Sequence, residues 1–288
     1  MQNFKIGVIL DSFKLPIPEA IKQAALVGAQ GVQVYATRGD MSPEKMTPAR
    51  ISEFKDMLAS NGLVISALCG DLGGHGFQIA ENNAARIEQS KRIMDLALEL
   101  GTNVVTTHIG VVPNEKIDRY FVLQEACDTL ARYGAEVGAY FAIETGPEPS
   151  AVLKAFLDSL SAKNLCINLD PANLVMVIGE SPVDAVRNLK DYIVHTHAKD
   201  GIMLKRTSAE RIYGAFASDG VAIDIEEQLD MNEYFKEVPL GHGSVEFDTY
   251  LPALRDIGYS GFLTIEREVG DNPAADIALA VEFLRGRI

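Results

Sequence analysis

The chain has no tryptophan, only three cysteines, and no apolar stretch approaching the ~20 residues of a membrane span. Cys69, Cys127 and Cys166 form an odd, sparse set without CxxC spacing, which excludes a disulfide framework and a zinc ribbon. Free thiols are expected, buried in apolar runs at Cys127 and Cys166 and near a pocket rim at Cys69. The N-terminal MQNFKIGVILDSF lacks an A-x-A-like cleavage site and reads as a first strand, so the cytoplasm is the expected compartment. Positive charge is also scarce: 26 Lys and Arg face 40 Asp and Glu, for a net charge of −14. That balance argues against nucleic acid or anionic membrane as partners. It still permits an anionic ligand in a pocket where a metal or a few local cations invert the field. No GxGxxG opens a helix after the first apolar run, which leaves little support for a nucleotide-binding sheet.

What is present is alternation. Short β-type runs at 4–10, 31–36, 63–70, 103–110, 139–146, 165–173, 192–200 and 261–268 are separated by segments of helical period. Several of the helical segments end in glycine, and Ser181-Pro182 reads as a helix start. Eight runs alternating with helices and no clear break predict a single-domain (β/α)8 TIM barrel over 1–288. A doubly wound open sheet is the structural rival. One connection breaks the rhythm: 201–243 reads as a long insertion after strand seven. It is either a lid over the barrel mouth or a peripheral excursion that makes an oligomer contact.

Four of the runs end in a metal-type ligand: FAIETG (Glu144), CINLDPAN (Asp170), IVHTHAKD (His195 and His197) and FLTIERE (Glu266). Each carboxylate alone reads as a solvated or capping residue. Together they sit at equivalent points of a repeated βα unit, where parallel strands bring their ends to one face. Clustered carboxylates would repel one another unless a cation sat between them. Three carboxylates and one imidazole suit one divalent ion, Mn²⁺, Mg²⁺, Co²⁺ or Zn²⁺. His195 and His197 alternate on one side of their strand. His197, nearer the end, is the expected ligand, and His195 lies a layer deeper, as a hydrogen-bond partner or a core histidine. His108, in THIG, is a candidate substrate contact or auxiliary ligand.

The motifs IETG, NLDPANL, HTHAKDG, LGHGSVEF and GYSGFLTIERE resemble the xylose-isomerase-like TIM-barrel superfamily along the whole chain. This is the sugar phosphate isomerase/epimerase group, which also holds D-tagatose 3-epimerase, inosose dehydratase and endonuclease IV. The resemblance implies one divalent metal on Glu144, Asp170, His197 and Glu266, with Glu144 and Glu266 also acting as acid and base. It implies a carbohydrate substrate and proton removal next to a metal-bound carbonyl, through an enediolate. Relatives are often homo-oligomers. Asn173 stands where the tagatose-type enzymes carry histidine, a departure from that pattern and from the trinuclear nuclease. The nuclease's Asp-x-His pair is also missing around His242. Asn173, Lys199 and His242 join His108 and His195 as expected substrate contacts. Asp71, Gly73, Gly74 and His75 are expected at the rim, and Arg206 and Arg267 are lesser options for an anionic group. A sugar or sugar-phosphate isomerase or epimerase is the leading expectation. A lyase acting on an inosose or 3-oxo-glycoside comes second, and a non-catalytic sugar-binding barrel third.

Overall fold

The computed structural model describes residues 4–213 and 230–288. Eight parallel strands close a barrel: β1 (Lys5–Ile9), β2 (Gly31–Tyr35), β3 (Val64–Cys69), β4 (Val104–Thr107), β5 (Tyr140–Glu144), β6 (Leu165–Leu169), β7 (Ile193–Ala198) and β10 (Phe262–Ile265). Between β7 and β10 lie two further strands, β8 (Asp200–Met203) and β9 (Phe235–Val238), paired antiparallel as a hairpin. The barrel closes where β1 pairs β10, with Lys5 opposite Phe262 and Gly7 opposite Thr264. The architecture is therefore the expected single TIM barrel.

The helices are α1 (Ile17–Val27), α2 (Pro48–Ser60), α3 (Ala80–Leu100), α4 (Asp118–Val137), α5 (Ser150–Asp158), the short α6 (Pro171–Asn173), α7 (Pro182–Leu189), α8 (Ala209–Ile212), α9 (Phe247–Asp256) and α10 (Pro273–Arg285). Their starts follow from sequence: Thr47 accepts the Arg50 N–H at the head of α2, and Asn272 accepts the Ala275 N–H at α10. Gly101 and Gly138, at φ 97° and 82°, end α3 and α4 in the left-handed region that strains any side chain. The apolar faces so aligned bury Leu123, Leu130, Leu153 and Phe156 against the barrel wall. Among the described residues no helix is long and apolar enough to cross a membrane.

The expected insertion is structured from its first residue. Both carboxylate oxygens of Asp200 gather backbone amides: Gly201 and Val245 on Oδ1, Gly241 and Gly243 on Oδ2. A Cβ at Gly243 would lie 2.2 Å from Asp200 Oδ1, so only glycine permits this wrap. The hairpin is tied to the barrel by Arg267, which donates to Glu237 on β9 (2.6 Å) and to Asp276 on α10 (2.8 Å). Part of the expected lid, 214–229, lies outside the described residues.

Candidate metal centre

The C-terminal edges of β5, β6, β7 and β10 converge on one point. Glu144, Asp170, His197 and Glu266 are all buried, and one ligand atom from each lies within 4.8 Å of the other three. His197 Nδ1 stands 3.3 Å from Glu266 Oε2, 3.4 Å from Asp170 Oδ2 and 3.6 Å from Glu144 Oε2. Among the described residues this is the one group of three or more such side chains arranged to share an ion.

Asp170 fulfils the capping reading with one oxygen and leaves the other at the centre of the cluster. Oδ1 caps the short helix that follows, accepting from Ala172 N (2.8 Å) and Asn173 N (3.0 Å). Oδ2 is fully buried and makes no hydrogen bond, and neither does His197 Nδ1. The two atoms are 3.4 Å apart, and clustering Asp170 with Glu144 and Glu266 around them carries a cost in like-charge repulsion. A cation between them removes that cost. Three carboxylates and an imidazole at mutual distances under 5 Å fit one hard or borderline divalent ion bound at ~2.0–2.2 Å from each ligand.

The supports of these ligands fix their roles. Thr106 donates to Leu68 O and accepts from Gln33 Nε2 (3.1 Å), which turns Gln33 Oε1 toward His197 Nε2 (3.3 Å). His197 Nε2 thus faces a carbonyl oxygen, which can only accept, and also the Asn168 amide at 3.2 Å, while Nδ1 faces the carboxylates. A parallel chain begins at Thr264, whose hydroxyl is 3.0 Å from His195 Nε2. His195 Nδ1 then donates to Asn168 Oδ1 (2.8 Å), leaving the Asn168 amide to donate to Glu144 Oε2 (3.2 Å). Gly7 makes room for this chain, since a Cβ there would lie 2.7 Å from Thr264 Oγ1. Burial, with His197 alongside, pulls the His195 pKa well down and keeps the ring neutral.

Glu144 also accepts from Asn173 Nδ2 (2.9 Å), the residue that replaces the tagatose-type histidine. Glu266 accepts instead from Lys199 Nζ (2.9 Å), which also binds Glu268 (2.5 Å). Burial opposes ionisation of Glu266, but Lys199 and His197 overcome it and hold the carboxyl well below its usual range. Burial likewise opposes the Lys199 charge, and Glu266, Glu268, Asp170 and Glu237 outweigh it. His108 Nδ1 lies 3.3 Å from Asp71 Oδ2, with Nε2 3.8 Å from Glu144 Oε1. Against its desolvation, Glu144 and Asp71 raise the His108 pKa to about 9.

The site opens into a cavity of about 420 Å³. Of the expected contacts, His108, Asn173 and Lys199 line it, as do Asp71 and Cys69. Two do not reach it. His195 is 2% exposed and sits beneath the ligands, so it supports them through Asn168 rather than meeting a substrate. His242 is exposed and outside the lining, because the amides on either side of it turn inward onto Asp200. Arg267 is committed to Glu237 and Asp276, while Arg206, Gly73, Gly74 and His75 lie outside the lining. Sequence reading missed Gln33, Tyr35 and Asn168, together with the insertion residues Ile212, Tyr213 and Phe235 that wall the cavity. Tyr213 packs tilted over His108 at 5.7 Å between ring centroids.

The model of the xylose isomerase-like TIM barrel family matches residues 21–287, and the chain belongs to that family. An L-ribulose-5-phosphate 3-epimerase of Salmonella paratyphi C is 39% identical over 56 residues, 19% of this chain and 20% of that relative. The match thus spans about a fifth of the curated relative's length. A xylose isomerase domain protein from Planctomyces limnophilus superposes with a TM-score of 0.77 at 27% identity, covering 99% of this chain and 96% of that one. A D-psicose 3-epimerase from Clostridium cellulolyticum H10, crystallised with D-tagatose, gives 0.71 at 14% identity, with 98% and 99% covered, a likeness of fold.

Proposed function

We propose that this chain is a divalent-metal-dependent isomerase or epimerase acting on a sugar or sugar phosphate. The observation that carries the reading is the convergence of Glu144, Glu266 and the unpartnered Asp170 Oδ2 and His197 Nδ1 on one buried point at the cavity floor. Mn²⁺, Mg²⁺, Co²⁺ or Zn²⁺ would be held by these four side chains. A bound cation supplies Lewis acidity, which makes the C–H beside a ketone easier to deprotonate.

The protein's own groups do the rest. Glu144 and Glu266 are the proton carriers, one taking a proton at a carboxylate oxygen and the other returning one. The amides of Asn168 and Asn173 orient Glu144, and Lys199 orients Glu266. His108, protonated beside the cavity, can donate from Nε2 to a substrate oxygen. Ile212, Tyr213 and Phe235, from the described part of the insertion, wall the cavity with apolar surface. The family's epimerases and the match to a ribulose-phosphate epimerase support a carbohydrate substrate. A second reading, a lyase on an inosose or 3-oxo-glycoside, needs a general acid, and of His108, His195 and His242 only His108 lines the cavity.

Metal analysis of the purified chain, followed by solvent-deuterium exchange over ketoses, ketose phosphates, inososes and 3-oxo-glucosides, tests these readings. Label gained without loss of water or aglycone supports the isomerase or epimerase, and loss of a group supports the lyase. Metal-loaded protein that exchanges none of them would instead be a sugar-binding barrel. Glu144→Gln and Glu266→Gln should each abolish exchange.

A further inference from the structure

The cavity has two chemistries. Its floor is polar, whereas its outer wall is built from Met176, Val177, Ile212, Tyr213, Phe235 and Val269. Val269 is 47% exposed, and Ile212, Tyr213 and Phe235 are only part-buried, so this apolar surface lies open toward the mouth. Among the described residues the lining holds no arginine. Of its two lysines, Lys199 is saturated by Glu266 and Glu268, and Lys236 is exposed on the hairpin. Glu237 and Glu268 add carboxylates to the same wall.

A phosphate at the far end of a metal-bound sugar would need several charge-assisted donors and would find one lysine, Lys236, among carboxylates and hydrocarbon. A hydrophobic or aromatic group would meet matching surface. Resting on the reading of the floor as a sugar-metal site, we infer that the substrate is an uncharged keto-sugar bearing an apolar substituent distal to its carbonyl, and not a sugar phosphate. Burying such a substituent against the wall strengthens binding roughly ten- to a hundredfold.

The test compares three ketoses with one head group, D-fructose, D-fructose 6-phosphate and 6-O-benzyl-D-fructose, titrated calorimetrically into the Mn²⁺-loaded full chain. The benzyl ether should bind at least about tenfold tighter than fructose, and the phosphate no tighter than fructose. Phe235→Ser should remove most of the benzyl advantage, and Glu268→Gln should narrow the gap for the phosphate. Equal binding by all three, or a preference for the phosphate, overturns the inference while leaving the metal-site reading intact. Failure of the chain to take up Mn²⁺ at all defeats that reading, and the comparison then runs on the metal-free chain, where the same ranking still decides the inference.

Discussion

Replacing Asp170 by asparagine separates the two tasks of that side chain. Asparagine caps a helix about as well as aspartate, so the bonds to Ala172 N and Asn173 N survive on its oxygen. What changes is the buried oxygen at the centre, which becomes an NH₂ facing His197 Nδ1. In the metal-free protein His197 is protonated, because Glu266, Glu144 and Asp170 outweigh its desolvation and raise its pKa. At an effective dielectric of about 20, the 3.4 Å contact between Asp170 and His197 contributes about 5 kcal/mol of attraction. Glu144 and Glu266, with ligand atoms within 4.8 Å, each repel Asp170 by at least about 3.5 kcal/mol. Repulsion exceeds attraction by about 2 kcal/mol, of which the attraction of Lys199 takes back part.

Asp170→Asn should therefore stabilise the metal-free chain by about 1–2 kcal/mol, a rise in Tm of roughly 2–4 °C for a chain of this size. With Mn²⁺ at a hundred times its Kd, the wild-type chain gains about 2.7 kcal/mol, or roughly 5 °C. The variant should gain nothing. Thermal unfolding by circular dichroism with EDTA and with Mn²⁺ reads all four values. If Asp170 were a cap alone, the substitution would be neutral under both conditions. A variant that is destabilised without metal, or that keeps the Mn²⁺ shift, refutes the reasoning.

Two further outcomes follow from the supports. Gln33→Leu removes the acceptor that faces His197 Nε2 and should weaken Mn²⁺ binding roughly 10–100-fold by calorimetry, while Gln33→Glu, which keeps an acceptor, restores most of it. Metal binding must displace the proton from His197, whose pKa is raised in the metal-free chain. Glu266, held well below its usual range, has no proton to release near neutrality. Mn²⁺ affinity should thus fall about tenfold per unit as pH drops from about 8 to 6, with about one proton released per ion in buffers of different ionisation enthalpy. A flat profile would count against His197 as a ligand.

The four clustered side chains were legible because their chemistry is out of place: a carboxylate or imidazole ending an apolar run has few reasons to be there, and β5, β6, β7 and β10 each carry one. Their supports were harder to see. Gln33 and Asn168 are neutral amides inside strands, without unusual charge. A signal did exist in the period of two: Gln33 with Tyr35, and Asn168 with Asp170, share a side of their strands. His195 obeyed the same rule, but two residues along a strand is also a step down into the barrel, below the cavity floor. The hairpin β8–β9 escaped notice because each of its strands has four residues, too few to show a period. His242 was expected at the site through the family resemblance of its loop, whereas Gly243 beside it serves the approach of Asp200.

The supports also make the two glutamates unequal. Glu144 is hydrogen-bonded by the neutral donors Asn168 and Asn173, with the His197 and His108 rings further off at 3.6 and 3.8 Å. Glu266 is held by the ammonium of Lys199, a cation that keeps it ionised and so makes it the poorer base. A site that removes a proton with one carboxylate and returns one with another works best when their environments differ. The side chains that create the difference here are not the ligands themselves. They are Asn173, at the position of the tagatose-type histidine, and Lys199, which links Glu266 to Glu268 at the cavity wall.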